Sequence, residues 1–227
     1  MIFDCYLGKV SLLEADTKQA QYLINNGVYI GEDEVKRCVK LLQGRSNPVM
    51  IDGGANHGLF GFSMRKKIPD LVVHAIEAQP TIYELICETV KLNSFENYTV
   101  YNKAISDNPG SIDVPVYDYN KRGSFGSVEL LKTSNDVGQK PTGTVPVDIL
   151  RIDDMNLDRV DFIKFDVEGM EIHALRGSIE TIRKHKPVMY IEYKKVGKNN
   201  LQKYFDNELS GLYNFKWEGA DVICTAK

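Results

Sequence analysis

Two carboxylates two residues apart, Asp166 and Glu168 in DFIKFDVEGMEIHAL (residues 161–175), carry the strongest chemical signal in the sequence. They end an apolar run that reads as a buried strand, and Gly169 and an amphipathic segment follow at once. In extended backbone a spacing of two turns both side chains to one side, and a glycine permits the sharp turn into the next helix. Two close acids keep one member protonated or raise its pKa, as a proton acceptor working near neutral pH requires. Helix N-termini also favour acids, so a capping role for Glu168 is the bland alternative. His173, near the start of that helix, is a second base candidate, and Glu192 at the end of VMYIE extends the acidic set.

A second signal is MIDGGANHGLF, a glycine-rich stretch directly after an apolar run. Gly53, Ala55 and Gly58 can be aligned with a dinucleotide fingerprint. The alternative alignment is Asp52-x-Gly54-x-Asn56-x-Gly58, with Asn in a glycine position because Asn tolerates left-handed backbone. The carboxylate of Asp52 would repel a pyrophosphate and attract a cation. S-adenosylmethionine, which carries an ammonium, a sulfonium and no phosphate, therefore suits the loop better than a nicotinamide dinucleotide. No Lys or Arg lies between Ile51 and Met64, which excludes a Walker-type loop. Glu77 ends the next apolar run and stands where ribose hydroxyls are held in either kind of site.

These residues need a scaffold that brings several strand ends to one edge. Apolar runs alternate with helical periodicity from Val49 onward, which predicts βαβ units and a parallel sheet. The predicted order is PVMIDGGA, a helix in HGLFGFSMRKK, LVVHAIEA, a helix from Pro80, then YTVYNKAIS as one strand. After VDFIKFDV come one helix with Ile172, Leu175, Ile179 and Ile182 on its face, PVMYIEY, a helix from about Asn199, and a closing hairpin. Residues 107–150 break the alternation and read as an insertion or lid; within it RGSFGSVELL suits a loop over ligand, and Tyr117, Tyr119, Arg122 and Phe125 offer groups of the kind glycan sites use. Residues 1–48 read as an N-terminal covering segment, with a helix in GEDEVKRCVKLLQG at an edge of the fold, and 49–227 as the main domain.

The bulk numbers fit one domain: 227 residues, 43% hydrophobic, 26% charged and a net charge of −3. No broad basic field draws the chain to nucleic acid or anionic membrane. No run approaches the roughly 20 apolar residues of a membrane span, and the N-terminus has no leader-like pattern, so a cytoplasmic protein is expected. Cys5, Cys38, Cys87 and Cys224 are scattered, without metal-ligand or disulfide spacing.

MIDGGANHGLFGF, AIEAQP, AISD with Gly110, and above all VDFIKFDVEGMEIHALRGSIETI leading to KPVMYIEY resemble the FkbM-type methyltransferases. The resemblance implies a Rossmann-like class I methyltransferase fold, a seven-stranded, mostly parallel sheet with helices on both faces and a reversed C-terminal strand. It also implies S-adenosylmethionine as cofactor, S-adenosylhomocysteine as product, and a sugar, glycan or related polyol hydroxyl as acceptor. By position the cofactor residues would be Asp52, Gly53, Gly54, Ala55, Asn56 and Gly58 in the loop, Glu77 at the ribose, Ala104 and Ile105 beside the adenine, and Asp166. Glu168 would be the base or hydroxyl-orienting group. His57, and Ala78 with Gln79 before Pro80, depart from the family pattern. A divalent metal on Asp166, Glu168 and Glu192 would be of the hard-oxygen kind and is not expected. No proline-rich amino-methylating motif follows the FDVEG block, so oxygen is the favoured acceptor atom. The competing readings are a nicotinamide-dependent oxidoreductase or epimerase, which lacks an obvious Tyr-x-x-x-Lys pair here, and a non-catalytic glycan- or cofactor-binding module.

Overall fold

A computed structural model describes residues 1–131 and 136–227; residues 132–135 of the expected insertion lie outside the described set. The first half of the chain forms β1 (Ile2–Cys5), β2 (Gly8–Ser11), α1 (Gln19–Asn26), α2 (Glu32–Leu41), β3 (Val49–Gly53), α3 (Leu59–Lys67), β4 (Val72–Ile76), α4 (Pro80–Leu92), β5 (Tyr98–Tyr101) and β6 (Ala104–Ile105). The second half forms β7 (Ser111–Val116), β8 (Gly143–Leu150), β9 (Phe162–Phe165), α5 (Glu171–Arg176), α6 (Ile179–His185), β10 (Val188–Glu192), α7 (Lys198–Glu208), β11 (Tyr213–Glu218) and β12 (Asp221–Ala226).

Seven strands make one sheet in the order β11-β12-β10-β9-β3-β4-β5, and β12 runs against both of its neighbours while β10, β9, β3, β4 and β5 run parallel. Alternate residues of these strands supply two cores. Met50, Val73, Phe162, Tyr190 and Ile223 pack on the face covered by α2 and α3, and Ile51, Ile163, Phe165, Met189 and Val222 pack on the other with α5, α6 and α7. Strands buried on both faces need continuous apolar sequence, which is why FIKF and VMYI read as they do. β3 and β9 are neighbours at the centre, so the turn after Gly53 and the turn after Phe165 emerge side by side. Ligands of open α/β sheets bind at such strand ends.

Four expectations are corrected. YTVYNKAIS is two strands, because the chain leaves the main sheet at Asn102, whose amide nitrogen donates to the carbonyls of Glu77 and Ala78. β6 then joins β8 and β7 in a separate three-stranded sheet. The helix expected across Ile172–Ile182 is two helices broken at Gly177–Ser178; a β-carbon on Gly177 would collide with the Ser106 carbonyl, so the break admits that strand end. Third, α2 packs against α3 over a sheet face, with Val35 and Cys38 buried, rather than at an edge. Last, the N-terminal segment also holds the hairpin β1–β2, fastened along α4 where the Ser11 amide donates to Thr89 Oγ1 and Lys9 and Asn93 exchange two bonds. The four cysteines are free thiols.

Gly54 marks the tightest approach in the fold. Its φ is +72°, and a β-carbon there would collide with the carbonyl oxygen of Asp166. Gly54→Ala combines backbone strain with a clash against main chain, for which a loss of more than about 2 kcal/mol is expected. A urea midpoint unchanged from wild type would contradict that close approach.

Candidate active site

A cavity with an empty volume of about 620 Å³, counted out to its open mouth, lies at the strand ends. Gly54 and Asn56 form one wall, Glu77, Ala78 and Gln79 another, Ala104 and Ile105 a third, and Asp166 and Glu168 a fourth. Of the residues expected at a cofactor, Asp52, Gly53, Ala55 and Gly58 do not line it. His173 does not line it either; its Nδ1 lies 3.0 Å from Asp107 Oδ1 outside the cavity.

The loop takes its shape from three left-handed residues, Gly54 (φ 72°), Asn56 (φ 50°) and Gly58 (φ 72°), in agreement with the alignment that put Asn56 in a glycine position. The turn is held from the next strand. The Asn56 amide donates to Glu77 Oε2 at 2.8 Å, and the Gln79 amide donates to Glu77 Oε1 at 2.9 Å. Burial nevertheless raises the Glu77 pKa, these two bonds opposing the rise. A carboxylate has about four lone-pair positions, so Glu77, which also interacts with the Gln79 side chain, keeps room for a ligand. Asn56 Oδ1 and Gln79 Oε1 are buried without a partner. His57 points away, fully buried, and its Nε2 accepts the Leu13 amide at 3.4 Å; burial lowers its pKa and keeps it neutral.

Asp52 lies beneath the loop with no exposed surface. Its pKa is raised by burial, against the pull of Lys164, whose Nζ is 3.5 Å from Asp52 Oδ1. That Nζ also donates to the Gly54 carbonyl at 3.1 Å and lies 3.6 Å from Asp166 Oδ2. Burial disfavours the Lys164 charge, but Asp166 and Asp52 outweigh it and raise its pKa. A lone lysine within the apolar run DFIKFDV was the available signal for this residue, since a buried lysine needs partners.

The strand ends at Phe165, so the extended geometry expected for Asp166 and Glu168 is not formed. Glu168 has a φ of 48°, a left-handed conformation costly for a residue with a β-carbon, and its carboxylate is nonetheless close enough for Asp166 to act on it. Burial first, and then Asp166, push Glu168 up to about 7. No side chain caps the next helix; Glu171 at its first position instead holds the turn before it, its Oε1 accepting the Val167 and Gly169 amides. Lys195 joins the insertion to this corner: its Nζ is 2.9 Å from Glu129 Oε1, 3.3 Å from Asp136 Oδ2 and 3.8 Å from Glu168 Oε2. Glu192 is pushed up to about 8 by burial and by Asp166 and Glu168. Yet among the described residues no group of three or more His, Cys, Asp or Glu side chains is placed to hold a metal ion, so the Asp166–Glu168–Glu192 ligand set is not formed.

The insertion packs down through Phe125, fully buried against Tyr117 and Tyr119, with Ile82 and Val128 in the same cluster. Of the aromatic residues expected to offer a glycan surface, Tyr117 and Phe125 are thus core and Tyr119 is partly buried against them, because a ring gains by burial. Arg122 remains exposed. Gly126, Val128 and Leu130 reach the cavity. The N-terminal segment closes the acidic side: Tyr29, between α1 and α2, is buried, and its hydroxyl pKa is raised by burial and by Asp166 and Asp52.

Glu168, Glu171 and Glu192, like Asp52, Glu77 and Asp221, have raised pKa values and make stability depend on pH. The folded state holds protons that the unfolded chain loses near 4.5, so stability must fall as pH rises from there to about 7 for Glu168 and Glu171, and to about 8 for Glu192. Asp161 and Asp107, held below their ordinary value of 3.8, act only under about pH 4. The urea midpoint is expected to be higher at pH 5 than at pH 8, and a flat or rising profile would contradict these environments.

The model of the methyltransferase FkbM domain matches residues 52–214, most of the chain. The chain belongs to the FkbM methyltransferase family. Methyltransferase sdnD of Sordaria araneosa is 24% identical over 165 residues, covering 62% of this chain and 64% of that protein. Methyltransferase 1 of Beauveria bassiana is 24% identical over 158 residues, covering 63% of each. The chain thus spans a little under two thirds of the length of the curated relatives it matches. Its fold is shared with methyltransferase FkbM from Methylobacillus flagellatus, at a TM-score of 0.55 and 18% identity over 81% of this chain and 45% of that one. It is shared also with a caffeoyl-CoA O-methyltransferase-like protein from Staphylococcus aureus, at 0.54 and 12% identity over 92% and 90%. Membership of the FkbM family sets aside the nicotinamide reading of Gly53, Ala55 and Gly58. Among the described residues of this FkbM-family chain, no helix is long and apolar enough to cross a membrane.

Proposed function

We propose that the chain is an S-adenosylmethionine-dependent O-methyltransferase acting on a hydroxyl of a sugar, glycan or related polyol. The observation that carries this reading is Glu168: an acid held at about 7 by burial and by Asp166, lining one cavity with Glu77 and the Gly54–Asn56 turn. The residues fit the cofactor, because Asn56 Oδ1 and Gln79 Oε1 are buried acceptors without donors and Glu77 retains free lone pairs, which together suit hydroxyl-rich ligand groups.

S-adenosylmethionine would supply an electrophilic methyl group on a sulfonium and leave as S-adenosylhomocysteine. Glu77 would hold ribose hydroxyls, Ala104 and Ile105 would flank the adenine, and Gly54 and Asn56 would present the loop backbone. Asp166 would face the cationic end. Asp52 would act from beneath, by holding Lys164 against the Gly54 carbonyl, rather than by touching the ligand. Glu168, ionised above about pH 7, would take the acceptor hydroxyl proton as the oxygen bonds to the methyl carbon, and pass that proton to water. An acid with an ordinary pKa would be a weaker base for this step.

The test is transfer of labelled methyl from S-adenosylmethionine to a panel of sugars, glycosides, polyols and amines. Label recovered in a base-stable ether supports the reading. Label appearing only in amine acceptors would sink the hydroxyl assignment.

A further inference from the structure

Gln79 belongs to the two-residue departure from the family pattern before Pro80. Its side chain is 5% exposed and lines the cavity. Its Nε2 donates to the carbonyl of Phe125 in the insertion at 2.8 Å. A carbonyl can only accept, so this bond fixes which end of the amide is nitrogen and leaves Oε1 as the end without a partner. The backbone amide of the same residue is tied to Glu77, so both ends of Gln79 are positioned. Asn56, 7% exposed, presents a second unpartnered oxygen in the same cavity, and its Nδ2 lies where a β-carbon on Gly126 would come within 2.5 Å.

We infer that Gln79 is a ligand-binding residue that also couples the insertion to the cavity: Oε1, together with Asn56 Oδ1 and Glu77, accepts bonds from a vicinal diol of the ligand, while Nε2 straps Phe125 down. The inference rests on the methyltransferase reading, in which that diol is the ribose of S-adenosylmethionine or S-adenosylhomocysteine. A carboxylate and two unpartnered amide oxygens suit a bare diol and oppose a phosphorylated one. The amide is one rigid plane, so a ligand that engages Oε1 orients the Nε2 bond to Phe125. Ordering of residues 123–130 and ligand affinity then strengthen each other, as linkage demands.

The test is calorimetric titration of S-adenosylhomocysteine into wild type, Gln79→Met and Gly126→Ala, with hydrogen exchange of the 123–130 amides in each. Gln79→Met keeps volume and removes both bonds; affinity is expected to fall roughly tenfold or more, since the ligand loses one of its acceptors and the Phe125 carbonyl loses its donor. Exchange at 123–130 should rise even without ligand. Gly126→Ala presses only on the far end of the Asn56 side chain, at a glycine whose φ is not positive, so it should fold normally and lose affinity several-fold. Gln79→Met that binds like wild type, or that leaves exchange at 123–130 unchanged, overturns the inference alone. Wild type that fails to bind S-adenosylhomocysteine overturns the methyltransferase reading beneath it.

Discussion

Lys164→Met is expected to destabilise the protein by about 3–5 kcal/mol at pH 7, because it removes one partner from a buried charge cluster and leaves the others uncompensated. Asp52 has no exposed surface and Asp166 is only partly exposed, so neither can recover its charge–charge interaction from water alone. The Gly54 carbonyl would lose its bond as well. The loss should shrink between pH 7 and pH 5, since a falling pH favours the neutral form of Asp52, whose pKa burial has already raised. Urea unfolding at the two pH values measures both effects. A loss below about 1 kcal/mol at pH 7, or one that does not depend on pH, would contradict the view that Lys164 joins the loop to the acid at the end of β9.

Glu168→Gln is expected to lower kcat by about 10²–10⁴, the range for removal of a general base, while S-adenosylhomocysteine affinity stays within a factor of about three. The wild-type kcat/KM should rise with pH through about 7, since the carboxylate is the active form, and the glutamine variant should lose that limb. Equal losses in cofactor affinity and in turnover would make Glu168 a binding group instead. Because Glu168 adopts a left-handed backbone that the isosteric glutamine also tolerates, the substitution changes charge without changing the turn.

The sheet was legible because its central strands are buried on both faces: VMI, FIKF and VMYI cannot satisfy any other environment so well. The glycine loop was legible because left-handed backbone restricts residue choice at Gly54, Asn56 and Gly58. What escaped depends on contacts between distant segments. The end of β9 at Phe165 is set by the approach of Gly54 to the Asp166 carbonyl, which no local pattern near residue 166 encodes. The helix break at Gly177 admits the Ser106 carbonyl, and the turn of the chain at Asn102 depends on the Glu77 and Ala78 carbonyls. Lys164 left a visible trace, a charge in an apolar strand. Gln79 left only an extra pair of residues before Pro80, and its partner lies in the insertion. The hairpin β1–β2 has four residues per strand, too short for periodicity to mark.

The most direct test of the central claim is calorimetric titration of the wild-type chain with S-adenosylhomocysteine and, in parallel, with NAD(H). The account predicts that S-adenosylhomocysteine binds at one site and NAD(H) does not, since both ligands bring a bare ribose diol to Glu77 but the loop offers Asp52 and no cation to a pyrophosphate. Binding of NAD(H) without S-adenosylhomocysteine would contradict it, and Glu168 would then be a buried acid without a methyl acceptor to serve.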